Sequence, residues 1–362
     1  MQPIFPTTSH WLIRISEVFG DYTDEILAAL SASVVRKLGT EYYLISVADP
    51  ELLLDSVAAM YLRWKMPLHH SWPCNPEQMP SFVEKAAQAL FQKFSGQAVQ
   101  AIFMGPLDAG LANPYHRKLA SNLRGRTLQL FPPEVACFKE IEAQNNGVET
   151  LFCLVGKEGL FAGKVTPRAA NGFYPGGTKF ISQGASDTIS RAGAKVAEAL
   201  HYLMLDRRVP AAGKHWLELG ASPGGMTSEL LRRDYRVTAI DRAPLDKRLD
   251  GAPKLQFILG DVTAYLPKPK VTFDAMMCDM NGDALESITQ VSRLAAHLVE
   301  GGVVIFTLKT PGAVSFSEIN ELFATVVQAA AARGLRLFAK THLTYNRLEF
   351  TLFFEKQRNA PA

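Results

Sequence analysis

The sequence predicts an α/β protein whose C-terminal part is a mostly parallel seven-stranded sheet with one antiparallel strand, covered by helices and preceded by smaller α/β units. Three observations carry this. From about Ser190, short apolar runs alternate with stretches of helical periodicity. The alternation ends in two strand-like runs, Leu335–Thr341 and Leu348–Glu355, with no helix between them, which predicts a hairpin. The first run of the series leads straight into a glycine-rich turn and then a helix.

The elements follow in order. Ser190 is a good N-cap for a helix running to about Leu205. Strands are predicted at His215–Leu219, Tyr235–Ile240, Lys254–Leu259, Phe273–Asp279 and Val303–Leu308, with helices at about Gly225–Arg233 and Leu285–Leu298. A long helix, Ser317–Arg333, is closed by Gly334. Upstream, Phe82–Phe94 has helical spacing, and Val99–Phe103, Leu128–Leu130 and Leu151–Val155 read as strands. The turn-rich stretch Arg168–Ser186 reads as a connector. The expected organisation is an N-terminal α/β subdomain over residues 1–60, a second small domain over 61–170, a connector over 171–189 and the large domain over 190–362.

Hydrophobic residues make up 48% of the chain and charged residues 20%, as in a soluble globular protein. No apolar run reaches membrane-spanning length, and Met1–Gly20 lacks the basic start and apolar stretch of a signal peptide. Cys74, Cys137, Cys153 and Cys278 form no CxxC pair and have no histidines at zinc-binding spacing, so no metal is expected and they read as reduced thiols of a cytoplasmic protein. The net charge is only +3, but it is unevenly spread. Residues 1–60 carry 3 basic against 8 acidic side chains, residues 61–130 carry 8 against 3, and residues 157–195 carry 6 against 2. A basic surface beyond an acidic first piece fits this pattern, and so does chance clustering.

The stretch His215–Gly225 is a strand, a turn and a helix start, with Gly220, Ser222, Pro223, Gly224 and Gly225 in the turn. Glycines let backbone approach a ligand, and the helix N-terminus offers free N–H groups. Asp241 ends the next strand, 21 residues after Gly220, where a carboxylate can accept ribose hydroxyls; Asp261 follows the third strand and could reach an adenine. The loop reads G-x-x-x-G-G, so the dinucleotide pyrophosphate fingerprint is missing and a nicotinamide dehydrogenase is disfavoured. The bland alternative is a tight turn with no ligand.

Four charged residues stand where stability alone would ask for something else. Lys195 lies in the stripe of its helix marked by Ala192, Ala199 and Tyr202. Asp279 and Lys309 each end an apolar strand, on the edge of the sheet where α/β proteins bind ligands. Glu349 begins the last strand, and an antiparallel last strand begins on that same edge. Taken singly, Lys195 could snorkel to water, and Glu349 could pair with Arg347.

Together these motifs resemble the FtsJ-like 2′-O-ribose methyltransferases: Ser190-Arg191-Ala192-Gly193-Ala194-Lys195, Gly220-Ala221-Ser222-Pro223-Gly224-Gly225, Cys278-Asp279-Met280, Thr307-Leu308-Lys309 and Asn346-Arg347-Leu348-Glu349-Phe350-Thr351. The resemblance covers about residues 186–356 and implies a Rossmann-like methyltransferase domain that uses S-adenosyl-L-methionine. It maps the family's Lys-Asp-Lys-Glu tetrad onto Lys195, Asp279, Lys309 and Glu349 as catalytic residues. It places the cofactor against Ser190, Gly220, Ser222, Pro223, Gly224, Gly225, Asp241, Asp261 and Asp279. Within the family, the length and the Cys-Asp-Met triplet resemble the bacterial RlmM-type enzymes, which modify a cytidine ribose of 23S ribosomal RNA and carry a THUMP-like RNA-binding domain before the catalytic one. Ser222 and Met226 stand where that branch usually has cysteine and tryptophan.

The resemblance implies attack of a ribose 2′-oxygen on a sulfonium methyl, with Lys309 as base. A free lysine has a pKa of about 10.4, so this role needs burial and Lys195 to outweigh Asp279 and Glu349. The expected partner is 23S ribosomal RNA or another structured RNA, met by the basic cluster His116-Arg117-Lys118, Arg124 and Arg126 beside Tyr115. No membrane is expected, and the chain reads as a monomer. Competing readings are the same chemistry on transfer RNA or a cap, and a non-catalytic RNA-binding or ribosome-assembly protein of the same fold.

Overall fold

The computed structural model describes residues 9–107, 114–136, 140–179, 181, 188–310, 312 and 315–357. Cys137 and most of the expected connector beyond Lys179 fall outside them. The chain divides into two compact units, Met1–Lys179 with Met204–Asp206, and Phe180–Leu203 with Arg207–Ala362.

In the first unit, strands β1 (His10–Ile15), β2 (Ala32–Leu38), β3 (Tyr42–Val47) and β4 (Leu62–Pro67) form an antiparallel sheet in the order β2-β3-β1-β4, with helices α1 (Thr23–Ala29) and α2 (Leu52–Asp55) in its connections. A second sheet has the order β5-β8-β7-β6, from β5 (His70–Trp72), β6 (Ile102–Pro106), β7 (Thr150–Gly156) and β8 (Gly159–Val165). Helices α3 (Met79–Phe94) and α4 (Pro114–Leu128) join β5 to β7, and the short α5 (Pro167–Ala170) follows β8. Strand β7 is buried along its whole length because both faces of its sheet are covered. Leu151, Cys153 and Val155 pack on Phe82, Leu90 and Leu119 of the helices. The alternate residues Phe152 and Leu154 pack on Leu12, Tyr42, Trp64 and Met66 of the first sheet.

Two sequence expectations change here. The strand expected at Val99–Phe103 is Ile102–Pro106, three residues later. Leu128–Leu130 is no strand: Leu128 ends α4 and Leu130 lies in the turn after it. The helix wins because Leu119, Ala120, Leu123 and Thr127 recur at helical spacing and are buried together.

The second unit begins with α6 (Ala192–Leu203), then β9 (His215–Leu219), α7 (Gly225–Arg232), β10 (Arg236–Asp241), β11 (Leu255–Leu259), β12 (Phe273–Cys278), α8 (Ala284–Leu294), β13 (Leu298–Lys309), α9 (Phe316–Ala331), β14 (Leu335–Thr341) and β15 (Glu349–Lys356). The seven strands form one sheet in the order β11-β10-β9-β12-β13-β15-β14. Strand β15 runs antiparallel to both its neighbours, and the pairs among β9 to β13 are parallel. One face packs Trp216, Val237, Met277 and Phe353 against Val196, Leu200 and Leu203 of α6. Gly334, at φ +77°, ends the turn after α9 as a left-handed stop. Among the described residues, no helix is long and apolar enough to cross a membrane.

Candidate active site

Helices α6 and α7 meet at their N-terminal ends through residues that could not be larger. A Cβ on Gly193 would lie 2.9 Å from the Gly225 carbonyl oxygen, and one on Gly225 would lie 2.0 Å from Ser190 Oγ. Ser190 Oγ accepts from Ala192 N at 3.3 Å, as a cap does. This contact sets the first turn of α6 against the glycine loop, and Lys195 sits one turn further along.

The loop itself is braced. Asp241, at the end of β10, accepts from Ser222 N at 2.9 Å and from Ala243 N at 2.8 Å. Gly220 has φ +80°, and a Cβ there would meet Met280 Cα at 2.8 Å, so only glycine lets this turn lie on the residue after Asp279. Gly224 has φ +105°, and its Cβ would meet Leu249 Cδ1 at 2.4 Å. Beside the loop lies a cavity of about 740 Å³ whose lining includes Gly220, Asp241, Asp261, Met280 and Asn281. Asp261 takes the N–H and hydroxyl of Thr263, each at 2.8 Å, and pairs with Arg242; the Thr263 bonds hold its carboxyl below the ordinary range. Of the residues expected to hold the cofactor, Ser190, Ser222, Pro223, Gly224, Gly225 and Asp279 do not line this cavity; the Pro223 carbonyl accepts from Asp246 N at 2.9 Å.

The four charged residues meet. In the β13–β15 ladder Lys309 stands directly opposite Glu349, which is what an antiparallel last strand requires. Lys195 Nζ pairs with Glu349 Oε1 and lies 3.6 Å from Asp279 Oδ2. Lys309 Nζ lies 3.1 Å from Asp279 Oδ1 and 4.0 Å from Glu349 Oε2. Each cation thus faces both carboxylates. The side chains are 10–20% exposed, enough for a substrate group to reach them. In so dry a setting each charge interacts far more strongly than in water.

Sequence reading missed several contributors. Asn281 Oδ1 accepts from Lys309 Nζ at 2.8 Å; an Asn-Gly turn two residues past Asp279 is its only sequence signal. Glu198 lies three residues after Lys195 in the same stripe, so the test that picked out Lys195 would have found it too. Its carboxylate accepts from Thr344 N at 2.9 Å and from Tyr345 N at 3.3 Å. Glu218, inside β9, is buried, with Oε2 on the Thr227 hydroxyl at 2.8 Å and Oε1 without a hydrogen-bond partner. Burial, with added repulsion from Asp279 and Asp241, pushes its carboxyl up to about 8 against the pull of Thr227.

The basic cluster of α4 is partly committed elsewhere. Arg124 donates to the Ile102 carbonyl at 2.8 Å with its guanidinium over the Phe103 ring, and Arg126 pairs with Glu84. Both tie α4 to its own unit. Arg117 and Lys118 are exposed. Among the described residues no His/Cys/Asp/Glu group could hold a metal ion, and Cys74, Cys153 and Cys278 are free thiols.

Residues 188–330 match the FtsJ-like methyltransferase family. The chain is similar to curated proteins named ribosomal RNA large subunit methyltransferase M. It is 30% identical to that of Thauera aminoaromatica, over 48% of this chain and 48% of the relative. It is 29% identical to that of Shewanella pealeana, over 46% and 48%, and 28% identical to that of Shewanella loihica, over 55% of each. The chain thus spans about half the length of the curated relatives it matches.

Proposed function

We propose that this chain, whose residues 188–330 form an FtsJ-like methyltransferase domain, transfers a methyl group from S-adenosyl-L-methionine to a ribose 2′-hydroxyl of RNA, a cytidine of 23S ribosomal RNA. The observation that carries this reading is the convergence of Lys195, Asp279, Lys309 and Glu349 beside a glycine loop and cavity.

The residues fit the cofactor. Gly220 lines the cavity, and the Asp241 and Asp261 carboxylates stand on its wall as acceptors for ribose and adenine groups. Bound there, S-adenosylmethionine supplies an activated methyl on a sulfonium. Ser190, Ser222, Gly224 and Gly225 shape the loop that would hold its amino-acid end. Asp279 keeps both lysines in place and offers negative charge near a cation. Lys309, once it has given up its own proton, takes the 2′-hydroxyl proton, the hydroxyl entering in place of Asn281 as its partner. Lys195 and Glu349 fix Lys309 and the ribose. Positioning supplies much of the rate, because the donor is already activated.

The first unit serves RNA in this reading, as a THUMP-like domain with Arg117 and Lys118 on its basic helix, and the protein works as a cytoplasmic monomer. The test is incubation with methyl-labelled cofactor and an unmodified 23S ribosomal RNA transcript, followed by nucleoside identification. Label in 2′-O-methylcytidine, lost in Lys309→Ala, is expected. Label on a base would overturn the ribose chemistry; label in another ribose would discard the cytidine.

A further inference from the structure

We propose that the segment His342–Leu348 is a preformed seat for the RNA strand, and that Arg347 on it takes the phosphate beside the reacting ribose. The inference rests on the ribose-methylating reading above and adds the group that recognises the strand.

Strand β15 starts at the ligand edge, so the segment joining Thr341 to Glu349 lies there too. Its backbone is held by buried side chains. Glu198 takes the N–H groups of Thr344 and Tyr345, at 2.9 and 3.3 Å. His342 Nε2 donates to the Arg347 carbonyl at 2.7 Å, and Thr310 Oγ1 donates to the Leu348 carbonyl at 2.8 Å. Asn346 Nδ2 donates to the Glu349 carbonyl and to Thr351 Oγ1, both at 3.1 Å. Glu198, His342, Thr310 and Asn346 are all buried. A surface connection normally leaves its backbone to water, whereas this one is fixed from beneath.

What it presents upward is Arg347 and Leu348, both exposed, the leucine at 50%. Arg347 makes no side-chain hydrogen bond or ion pair among the described residues; nearby Glu349 is already committed to Lys195. The tetrad, with two cations and two carboxylates, is balanced without it. Arg347 is therefore a surplus positive charge on a fixed backbone, two residues from Glu349. A ribose whose 2′-hydroxyl reacts carries a phosphodiester on the adjacent 3′-oxygen, and a guanidinium binds phosphate through two parallel hydrogen bonds. Leu348 offers an apolar ledge to the sugar or base. Glu198 is the positioning residue: it makes no contact with RNA and keeps the seat in shape.

The test uses the full chain and the unmodified 23S transcript, with equilibrium binding measured from 50 to 200 mM salt. Arg347→Gln should weaken RNA binding about tenfold and reduce the slope of log affinity on log salt by about 0.7, with cofactor affinity unchanged. Arg347→Lys should restore part of it. Arg333→Gln, an equal charge change beyond the end of α9, should change neither. Glu198→Gln should raise the KM for RNA and leave cofactor affinity alone. Wild-type RNA affinity and salt slope in Arg347→Gln would overturn the phosphate contact. Equal losses of RNA and cofactor binding in Glu198→Gln would reduce Glu198 to a structural role. If the wild-type chain labels no ribose, the reaction falls, while the binding comparison still decides the phosphate contact.

Discussion

Each unit buries a cluster of opposite charges, and the two are built for different ends. In the first unit Glu41 accepts from Arg14 Nε at 2.8 Å and from Glu17 N at 3.1 Å, with Arg63 at 3.8 Å. Arg14 goes on to the Gly176 carbonyl at 2.7 Å and to Thr178. The cluster stitches β1, β4 and the turn-rich stretch after α5 together. Burial would push the Glu41 carboxyl up, but Arg14 and Arg63 outweigh it and leave it below the ordinary range. In the second unit Lys195, Asp279, Lys309 and Glu349 hold one another, and Lys309 has a third partner, Asn281, that lines a cavity. A charge cluster whose every bond goes to the fold is structural; one that reaches a cavity wall through a neutral partner such as Asn281 is a candidate for chemistry.

The sharpest break in this comparison is Lys309→Ala. We expect methyl transfer to fall by roughly 10²–10⁴-fold with folding intact, measured by single-turnover label transfer and thermal melting. A variant that turns over normally would make the second cluster structural like the first. Next is Glu41→Gln, which removes the countercharge of two buried guanidinium groups. It should cost about 3–5 kcal/mol in the unfolding of the first unit and leave cofactor affinity unchanged, followed by denaturant titration. An unchanged midpoint would remove the contrast.

Acidity separates the units further. Glu41 is held low, so its stabilisation is present above the unfolded carboxyl pKa and is lost as pH falls through the folded value. Glu218 is held at about 8, so its neutral form favours folding at low pH, and that advantage is lost as pH rises towards 8. Glu218→Gln should therefore flatten the decline in melting temperature between about pH 4.5 and 8. An equally steep decline in the variant would show that Glu218 is already ionised in the fold.

Two smaller effects complete the series. Asp261→Asn keeps the shape but weakens an acceptor on the cavity wall, and cofactor affinity should drop about fivefold by calorimetry, the worth of one hydrogen bond. Arg126→Ala removes an exposed pair with Glu84 and should leave the melting temperature nearly unchanged, since such pairs are screened by solvent. A marked loss of RNA affinity in that variant would return Arg126 to the RNA surface.

Sequence by itself determined the second unit: seven strands, their alternation with helices, the antiparallel return and the glycine turn were all legible. So was the tetrad, because each member breaks a local rule. Lys195 interrupts an apolar stripe, and Asp279 and Lys309 end apolar strands on one edge. Local periodicity records such violations, since it reflects which face of each element is buried. Only the tertiary structure decided what those residues touch. Glu349 had a local candidate partner in Arg347, and the β13–β15 register gave it Lys309 and Lys195 instead. Arg124 and Arg126 looked alike in a basic run until packing bound one to Phe103 and Ile102 and the other to Glu84. Leu128–Leu130 could be strand or helix end until α4 found its core. The physical reason is the same in each case: ladder register and side-chain pairing join residues far apart in the chain, and short-range pattern carries no record of them.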